Sequence, residues 1–402
     1  MVNLPRIGLV GMGGFAITHK SYIDSVEKAN MGKLVAQVAI ETDQRNFTRE
    51  LVSLKEKDVS IFSNLREMLS EMRDDLDLVC LPVGIPLHRT MTVSALEAGC
   101  NVFVEKPSAG CIQDLDAMLS VEDASNCFCA VGFQHAYHPD YLRLKDFIVS
   151  GKLGKIKNIR TFGSWPRNLE YYMRNNWAGK LGLEDTWVLD SPHNNAFSHS
   201  VNIALFLGCT EVCGVLNPVS VEAELYRANP ISSPDTAIFR VETEENTNLF
   251  FSFTHCGDRN LDPEHTFEGE LGTAVLSYSG DVSIKLNNGF SEKWNASNFE
   301  PEVLQNVVAH ISGASKLRVP LEKTRAQVLC VSGSFESSEV TALPSSGVIE
   351  KTRGEFIFDG MTDLVAQAYR ENALFSELGV SWGSKGRKID LRNYKYFPTY
   401  RR

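Results

Sequence analysis

Short apolar runs alternate with segments of helical periodicity along the first third of the chain. Uniformly apolar runs separated by helices are typical of a parallel sheet that helices cover on both faces. The segment 64–73, with Ser63 as its predicted N-cap, and the segment 87–98, which ends at Gly99, are two predicted helices. The predicted strands of this region are 6–10, 34–40, 76–81, 101–104 and 128–131.

After about residue 135 the pattern changes to longer segments in which apolar and polar positions alternate. In the segment 237–244, Phe239 and Val241 fall on one face, and Arg240 and Glu242 fall on the other. This alternation predicts an antiparallel sheet with one face in solvent. Similar strand patterns are at 249–255, 273–277 and 282–286, and helical patterns are at 140–149, 301–313, 321–338 and 361–377.

Composition narrows the class of protein. The chain has 402 residues, of which 43% are apolar, and a net charge of −10, so disorder is excluded and nucleic acid is not an expected partner. We expect no membrane association, because no apolar run reaches the roughly 18 residues of a membrane helix, and the N-terminus lacks a signal-peptide pattern. Nine cysteines without a C-x-x-C pattern predict reduced thiols, a cytoplasmic location and no metal site. The last twenty residues, with seven Lys or Arg against one Asp, are interpreted as a solvated or subunit-bridging tail.

A glycine-rich turn follows the first predicted strand and fits the pattern G-x-G-x-x-G/A. The first glycine allows a tight turn, the second lets the backbone approach a pyrophosphate, and the small sixth residue lets the next helix pack on the strand. The N-terminus of that helix offers unpaired N–H groups to phosphates. The pattern predicts a dinucleotide-binding Rossmann domain over residues 1–134, followed by an α/β domain over 135–402. The predicted cofactor-binding residues of the turn are Gly11, Met12, Gly13, Gly14, Phe15 and Ala16.

An acidic pair follows the second predicted strand and bears on the choice of cofactor. The carboxylate of Glu41, or alternatively that of Asp43, is placed to accept hydrogen bonds from ribose hydroxyls and to repel a 2′-phosphate. We therefore predict NAD rather than NADP. Arg45 leaves NADP open, because a nearby arginine can accommodate the extra phosphate, and a solvated turn is the other reading of the acidic pair.

The sequence Glu105-Lys106-Pro107 follows the predicted strand 101–104. It stands at the carboxyl end of a parallel strand, where open α/β sheets bind ligands. A lysine there can hydrogen-bond a substrate hydroxyl and stabilise a developing alkoxide. The following proline can fix a sharp turn, either cis or trans. Taken alone, Lys106 is better interpreted as a surface lysine in a turn.

Together these features resemble the glucose–fructose oxidoreductase / inositol dehydrogenase (Gfo/Idh/MocA) family. The resemblance extends over the glycine turn, the acidic pair, 77–82 with His88, 95–99, 105–107, 131–133 and 151–154, in the order of the family. It implies that Lys106 contacts substrate. It also implies a C-terminal α/β domain with a large, mostly antiparallel open sheet that supports a homodimer or homotetramer. The other cofactor-binding residues that we predict at these landmarks are Pro82, His88, Glu105, Lys106 and Gln134.

The family typically has an Asp-x-x-x-His pair on a helix, with the histidine as general base. The resemblance assigns this role to His199, with Asn195 where the family has aspartate. The two residues are four apart and are predicted to share one helix face. A neutral Asn cannot support the imidazolium as a carboxylate does, although Asp190 can supply that charge. His193 is the competing base if the register differs.

The segment 171–177 resembles the family's variable substrate segment. Aromatic rings stack on sugar C–H surfaces, and Arg or Asn side chains donate to hydroxyls or to a carboxylate. Packing of the two aromatic residues in the protein interior is an equally good reading. The predicted substrate-binding residues are Lys106, Tyr172, Arg174, Trp177, Asn195 and His199, and the predicted catalytic residues are Lys106 and His199.

The resemblance implies an NAD(P)-dependent oxidoreductase that acts on a secondary alcohol or ketone of a sugar, a cyclitol or a related polyhydroxylated compound. Lys106 polarises the reacting oxygen in this hypothesis, and His199 moves its proton. A non-catalytic NAD-binding regulator is one alternative, which Asn195 favours and Lys106 opposes. An NAD-dependent glycosidase of the same fold is the other alternative.

Overall fold

The computed structural model describes residues 4–299, 302–352 and 354–399. Up to residue 131 the helices and strands are β1 (Arg6–Val10), α1 (Phe15–Lys28), β2 (Lys33–Val38), α2 (Glu41–Asn46), α3 (Thr48–Glu56), β3 (Ser60–Phe62), α4 (Leu65–Glu71), β4 (Leu78–Leu81), α5 (Ile85–Glu97), β5 (Asn101–Val104), α6 (Ile112–Ala124) and β6 (Cys129–Val131). The later ones are α7 (Pro139–Val149), β7 (Ile156–Ser164), α8 (Leu169–Met173), β8 (Gly182–Leu183), β9 (Thr186–Trp187), α9 (Ser198–Gly208), β10 (Pro218–Arg227), β11 (Thr236–Thr243), β12 (Asn248–Thr254), β13 (Leu261–Gly269), β14 (Gly272–Ser277), β15 (Val282–Leu286), β16 (Ser291–Trp294), α10 (Val303–Ile311), α11 (Leu321–Ser337), β17 (Val340–Ala342), β18 (Val348–Lys351), β19 (Glu355–Phe358), α12 (Met361–Glu371) and β20 (Ile389–Asp390).

The chain forms two compact units, and each is built from more than one segment. The first unit consists of Met1–Ala109, Asp114–Tyr137 and Glu300–Thr324, and the second of Gly110–Gln113, His138–Phe299 and Arg325–Arg402. The predicted boundary between residues 134 and 135 stays a prediction.

The sheet of the first unit is parallel and has the strand order β3-β2-β1-β4-β5-β6. The prediction of a doubly wound parallel sheet is confirmed. Strand β3 was not predicted, and several bounds differ from the predictions. Strand β2 ends at Val38 rather than at residue 40, and the N-cap of α4 is Asn64, whose side chain accepts a hydrogen bond from the N–H of Glu67. Ser63 instead donates its backbone N–H to the Glu67 carboxylate at 2.9 Å.

A late segment of the chain completes the first unit. Helix α10 packs against α1, and Gln305 donates to the hydroxyl of Ser25 at 2.9 Å. The N–H of Val131, in β6, donates to the carbonyl of Val319 at 3.0 Å. Residues far apart in sequence therefore stabilise one sheet.

The second unit contains a large sheet with the order β16-β15-β14-β13-β7-β12-β11-β10-β17. It is mostly antiparallel, as predicted, with parallel pairs between β7 and β12 and between β10 and β17. The expectation of one solvated face is wrong for the central strands, because β10 and β12 are buried almost throughout. Helix α12 packs on β7 and β12, while α9 packs on β7 and β13. The peripheral strands β14 and β15 keep an alternating pattern of burial.

The basic C-terminal segment, as far as residue 399, packs on the second unit. Tyr394 donates its hydroxyl to the buried carboxylate of Glu336 at 2.8 Å, and the N–H of Thr399 donates to the same carboxylate at 2.9 Å. Phe397 is buried against Phe335. The described basic residues of this segment are exposed, as expected of a solvated segment, whereas its apolar residues pack within the unit. The alternative of a subunit-bridging role stays a prediction. Arg401 and Arg402 lie outside the described residues.

Candidate active site

The turn between β1 and α1 carries the glycine-rich sequence. Gly11 has a φ of 85°, a conformation that favours glycine, and its N–H donates to the carbonyl of Val38 at 2.9 Å. Gln37, buried in β2, donates its side-chain amide to the carbonyl of Gly11 at 2.8 Å and to that of Leu9 at 3.2 Å. Gln37 therefore fixes the turn from the neighbouring strand. Sequence reasoning missed it, although a lone amide within an apolar run is a usable signal.

The backbone of this turn fits a pyrophosphate. Helix α1 has neither an acidic residue in its first turn nor a side-chain N-cap, so its positive end is uncompensated within this described helix. No acceptor among the described residues pairs with the N–H groups of Gly13 and Gly14. A Cβ built on Gly13 would meet nothing closer than the ring of Phe47, at 3.6 Å. The space beside Gly13 is therefore open, as close approach of a phosphate requires.

The acidic pair begins a helix instead of ending a strand. Glu41 and Asp43 lie in the first turn of α2, where carboxylates are stabilised by the helix dipole. The exposed side chain of Glu41 forms an ion pair with Arg45, one helical turn later. Glu41, which favours NAD, and Arg45, which would accommodate the 2′-phosphate of NADP, are therefore paired with each other. Their contacts with a cofactor stay predictions.

The carboxylate of Glu105 anchors the loop after β5. His19, buried in α1, lies with its Nε2 3.0 Å from Glu105 Oε1, and the N–H of Lys106 donates to Glu105 Oε2 at 3.1 Å. A Cβ on Gly132 would lie 2.8 Å from Glu105 Oε1, so the carboxylate fills the space that this glycine leaves. The pair connects the helix of the glycine turn to the backbone of Lys106. Sequence reasoning missed His19, whose signal is a polar residue on the buried face of α1.

His88 holds the other side of the same loop. Its Nδ1 is 2.8 Å from the carbonyl oxygen of Pro107, and its Nε2 is 3.0 Å from that of Val83. Burial lowers the pKa of His88, and the two carbonyls, which only a doubly protonated ring can satisfy together, act in the opposite direction. The Lys106–Pro107 peptide bond is cis. Both ring nitrogens face backbone carbonyls, so His88 orients this loop, and its predicted contact with a cofactor stays a prediction.

The predicted residues of the first unit lie along one edge of its sheet. Parallel strands have their carboxyl ends at the same edge, where α/β sheets bind ligands. The glycine turn follows β1, Pro82 follows β4, Lys106 follows β5 and Gln134 follows β6. Pro82, Lys106 and Gln134 are half-buried. The sheet therefore brings together the glycine turn and the lysine loop.

In the second unit, the segment before α9 differs from the predicted single helix. Helix α9 begins at Ser198, so His199 is in its first turn, while Asn195 lies in the turn before it. The side-chain amide of Asn195 donates to Asp190 Oδ1 at 2.8 Å, and the N–H of Gly179 donates to Asp190 Oδ2 at 2.6 Å. Asp190 is thus hydrogen-bonded to Asn195, the residue at the position of the family's aspartate. His199 is 9% exposed, and its role stays a prediction.

His193 is a core residue. It is fully buried, its Nε2 lies 2.7 Å from the hydroxyl of Ser334, and its ring stacks on that of Phe335. Burial lowers the pKa of His193 to about 3, so the ring is neutral at physiological pH. A buried ring in this environment has no access to a substrate, which argues against the alternative register.

The substrate segment 171–177 includes both buried and exposed side chains. Tyr172 is 8% exposed, and burial raises the pKa of its hydroxyl, which has no hydrogen-bond partner among the described residues. Trp177 is half-buried and Arg174 is exposed, with its guanidinium over the ring of Tyr171. The predicted substrate contacts of Tyr172, Arg174 and Trp177 stay predictions.

The described residues contain neither a cluster of side chains suited to a metal ion nor a helix suited to crossing a membrane. No group of three or more His, Cys, Asp or Glu side chains in this part of the chain is arranged to hold a metal ion. None of the helices within it combines the length and apolar character that crossing a membrane requires.

Residues 5–133 match the model of a protein family described as an oxidoreductase family with an NAD-binding Rossmann fold. Among curated proteins, the chain is 25% identical over 203 residues to an inositol 2-dehydrogenase/D-chiro-inositol 3-dehydrogenase of Shouchella clausii, covering 48% of this chain and 54% of that protein. It is 24% identical over 285 residues to an inositol 2-dehydrogenase of Serratia proteamaculans, covering 70% and 76%. The chain thus spans about half the length of the first of these relatives.

Solved structures share the fold. The WlbA dehydrogenase from Bordetella pertussis, in complex with NADH and UDP-GlcNAcA, superposes with a TM-score of 0.67 at 20% identity, covering 83% of this chain and 96% of that one. An oxidoreductase from Agrobacterium radiobacter, in complex with NAD⁺, L-tartaric acid and magnesium, gives a TM-score of 0.66 at 15% identity, with coverage of 83% and 96%. At these identities the likeness establishes the fold alone.

Proposed function

We propose that the chain, whose residues 5–133 match the model of the Gfo/Idh/MocA oxidoreductase family, is an NAD-dependent oxidoreductase of that family. The reaction interconverts a secondary alcohol and a ketone of a sugar, cyclitol or related polyhydroxylated compound. The observation that carries the proposal is the common sheet edge of the glycine turn and the Lys106 loop. Curated relatives named as inositol dehydrogenases support a polyhydroxylated substrate.

The chain's own residues hold the cofactor. The open N–H groups at the start of α1 bind the pyrophosphate, and Gln37 keeps the turn in the required conformation. Glu41 accepts hydrogen bonds from the adenosine ribose after leaving Arg45, an exposed ion pair that is weak enough to exchange. When bound, nicotinamide supplies the acceptor or donor of hydride.

Lys106 binds the reacting oxygen. Its ammonium group donates a hydrogen bond to the substrate hydroxyl and stabilises the negative charge that develops there. The hydrogen bond from its backbone N–H to Glu105 fixes the position of the residue, and His19 fixes Glu105 in turn. The lysine is thus held by a buried network, while its side chain is half-buried.

His199 is the proposed general base for the same hydroxyl. It accepts the proton at an imidazole nitrogen during oxidation and returns it during reduction. Asn195 and Asp190 lie on the N-terminal side of α9, and their hydrogen bond holds a carboxylate in this region of the unit. We propose that Asp190 supplies the negative charge that the aspartate of the Asp-x-x-x-His pair typically supplies in the family.

A substrate screen tests the proposal. Sugars, sugar acids and cyclitols are mixed with the protein and NAD⁺, and formation of NADH is followed by its absorbance. We expect turnover with at least one compound, and we expect Lys106→Met to abolish most of it. Cofactor binding without turnover across the screen, in either direction, would favour the non-catalytic regulator.

A further inference from the structure

Two arginines flank one tyrosine ring in the second unit. The guanidinium carbon of Arg174 lies 3.7 Å from the ring centroid of Tyr171, and that of Arg167 lies 4.9 Å from it. Arg174 donates to the carbonyl of Tyr171, and the Nε of Arg167 is buried without a hydrogen-bond partner. Within the described residues, neither guanidinium lies within 4.0 Å of a carboxylate oxygen. Two adjacent cations therefore lack a counter-ion.

This arrangement is suited to an oxyanion. A guanidinium that stacks by its face keeps its in-plane N–H donors for a planar, bidentate acceptor such as a carboxylate or phosphate. A buried N–H without a partner is unfavourable, and two like charges on one ring repel each other. The negative charge of Asp190 also acts on Tyr171, and the two oxygens of that carboxylate accept from the N–H of Gly179 and the side-chain amide of Asn195.

A cleft is lined by Arg167 and by Tyr171, the ring on which Arg174 stacks. Its volume is about 410 Å³, within the range of small-molecule sites. Glu355 lies in its wall and can accept from substrate hydroxyls. Asn168 uses its side-chain oxygen to cap α8, by accepting from the N–H of Tyr171 at 3.0 Å, so its NH₂ group can donate. The lining residues are Pro166, Arg167, Asn168, Tyr171, Thr352 and Glu355.

Packed aromatic rings connect this cluster to the start of α9. Phe197, two residues before His199, stacks on Trp165 at 4.6 Å and on His255 at 5.3 Å between ring centroids. The N–H of Arg167 donates to the carbonyl of His255 at 2.9 Å. Burial, together with the two arginines, lowers the pKa of His255 to about 3, so this ring adds no third positive charge.

We propose that Arg167 and Arg174 form an oxyanion subsite, so that the substrate is an acidic polyhydroxylated compound with a carboxylate or phosphate group. The inference rests on the proposed function in one respect, that the segment containing both arginines meets the substrate. Acidic polyhydroxylated compounds are a narrower substrate class than the polyhydroxylated compounds that the curated relatives support.

Calorimetric titration of matched pairs tests the subsite directly. The pairs are D-glucuronate with D-glucose, D-galacturonate with D-galactose, and D-glucose 6-phosphate with D-glucose, each added to the full chain with saturating NADH, which cannot oxidise their hydroxyls. We expect the charged member of at least one pair to bind about 10- to 100-fold more tightly, as charge-assisted hydrogen bonds require. The sugar-acid pairs and the phosphate pair distinguish the two kinds of oxyanion.

Three variants assign the preference to the arginines. Arg167→Gln and Arg174→Gln should weaken binding of the charged member toward that of its neutral partner, and Arg174→Lys should have an intermediate effect because the charge remains without the fork. The matched control is Arg143→Gln, since Arg143 also lies over an aromatic ring, Trp294, at 4.1 Å but is paired with Glu292. It should leave every affinity unchanged. Thermal unfolding of each variant verifies that it is folded.

Three results would overturn the subsite. These are equal affinities within every pair, including no binding by either member; equal weakening of both members by the glutamine variants; or the same effect from Arg143→Gln. Binding is measured without turnover, so failure of the oxidoreductase proposal is a separate result. In that case anion preference persists while no compound yields NADH.

Discussion

Lys106 is positioned by its own sequence neighbour, because the carboxylate of Glu105 accepts the backbone N–H of Lys106 while binding His19 on α1. The glycine turn and the Glu105–Pro107 loop are visible in the sequence because their residues are adjacent. The buried residues that hold these two loops are not visible in the sequence, because His19 is 86 residues from Glu105 and Gln37 is 26 residues from Gly11. A sequence pattern identifies the groups that meet a ligand, whereas the buried groups behind them become visible only in the fold.

Replacing Lys106 tests its role at the reacting oxygen. Lys106→Met should lower kcat by about 10²–10³-fold, comparable to the loss of an oxyanion donor, while NAD affinity changes little. Initial rates and cofactor titrations with an active compound from the screen measure both quantities. Lys152→Met, at an exposed lysine over the ring of Phe147, is the control and should leave both unchanged. Full activity of Lys106→Met would refute the role.

The buried His19–Glu105 pair makes a prediction about stability. His19→Phe keeps a ring against Phe103 but removes the donor to Glu105, leaving a buried carboxylate unsatisfied. We expect the free energy of unfolding, measured with urea, to fall by about 1–3 kcal/mol. The double variant His19→Phe/Glu105→Gln should recover part of that loss. An unchanged free energy in the single variant would show that the pair does not stabilise the unit.

The hydrogen bond between Asn195 and Asp190 allows a charge-swap experiment. Asn195→Asp places two carboxylates in contact, so one keeps its proton when folded, and stability falls as pH rises through that raised value. The double variant Asp190→Asn/Asn195→Asp restores one donor and one acceptor and should unfold like the native protein at pH 8. If His199 is the base, the acidic limb of the pH–rate profile moves to higher pH in the double variant. An unmoved profile would contradict that role.

At the scale of elements, strands with a simple burial pattern were predicted well and strands with buried charges were not. The predicted strands 6–10 and 101–104 match β1 and β5 in their bounds. Strand β10 was missed because Glu222 and Glu224 interrupt its apolar pattern. Arg240 pairs with Glu222, and the hydroxyl of Tyr226 donates to Glu224 at 2.6 Å. These partners come from tertiary structure, so the sequence pattern of β10 alone resembles a loop.

The junction between α6 and β6 makes a pH prediction. Glu122, in α6, accepts from the N–H of Cys129 at 2.6 Å, and burial raises its pKa from 4.5 to about 7. The folded protein therefore holds this proton more tightly, and the contribution of Glu122 to stability is lost as pH rises from about 4.5 through 7. Glu122→Gln keeps an acceptor for the N–H and should unfold at a higher temperature than the native protein at pH 8, with a smaller difference at pH 5. Equal pH dependence of both proteins would contradict this account.

At the scale of the whole molecule, the sequence indicated two kinds of sheet but not how the chain is divided between the units. Residues 300–324 belong to the first unit, although they follow much of the second unit in the sequence. The sequence does not indicate this, because the periodicity of α10 is the same whichever unit it packs against. The contacts that decide it join Gln305 to Ser25 and Val131 to Val319. The predicted homodimer or homotetramer stays a prediction, which sedimentation of the full chain can test.

The most direct test of the central claim is a fluorescence titration of NADH and NADPH into the native protein and into Gly13→Val. The added side chain enters the open space beside the turn, where only Phe47 lies within contact distance, so the variant should fold normally. Thr90→Val, on the exposed face of α5 and outside the cavity at the glycine turn, is the control. We predict that the native protein and the control bind NADH more tightly than NADPH, and that Gly13→Val binds neither. Native affinity for NADH in a folded Gly13→Val protein, or no binding of either cofactor by the native protein, would contradict the account.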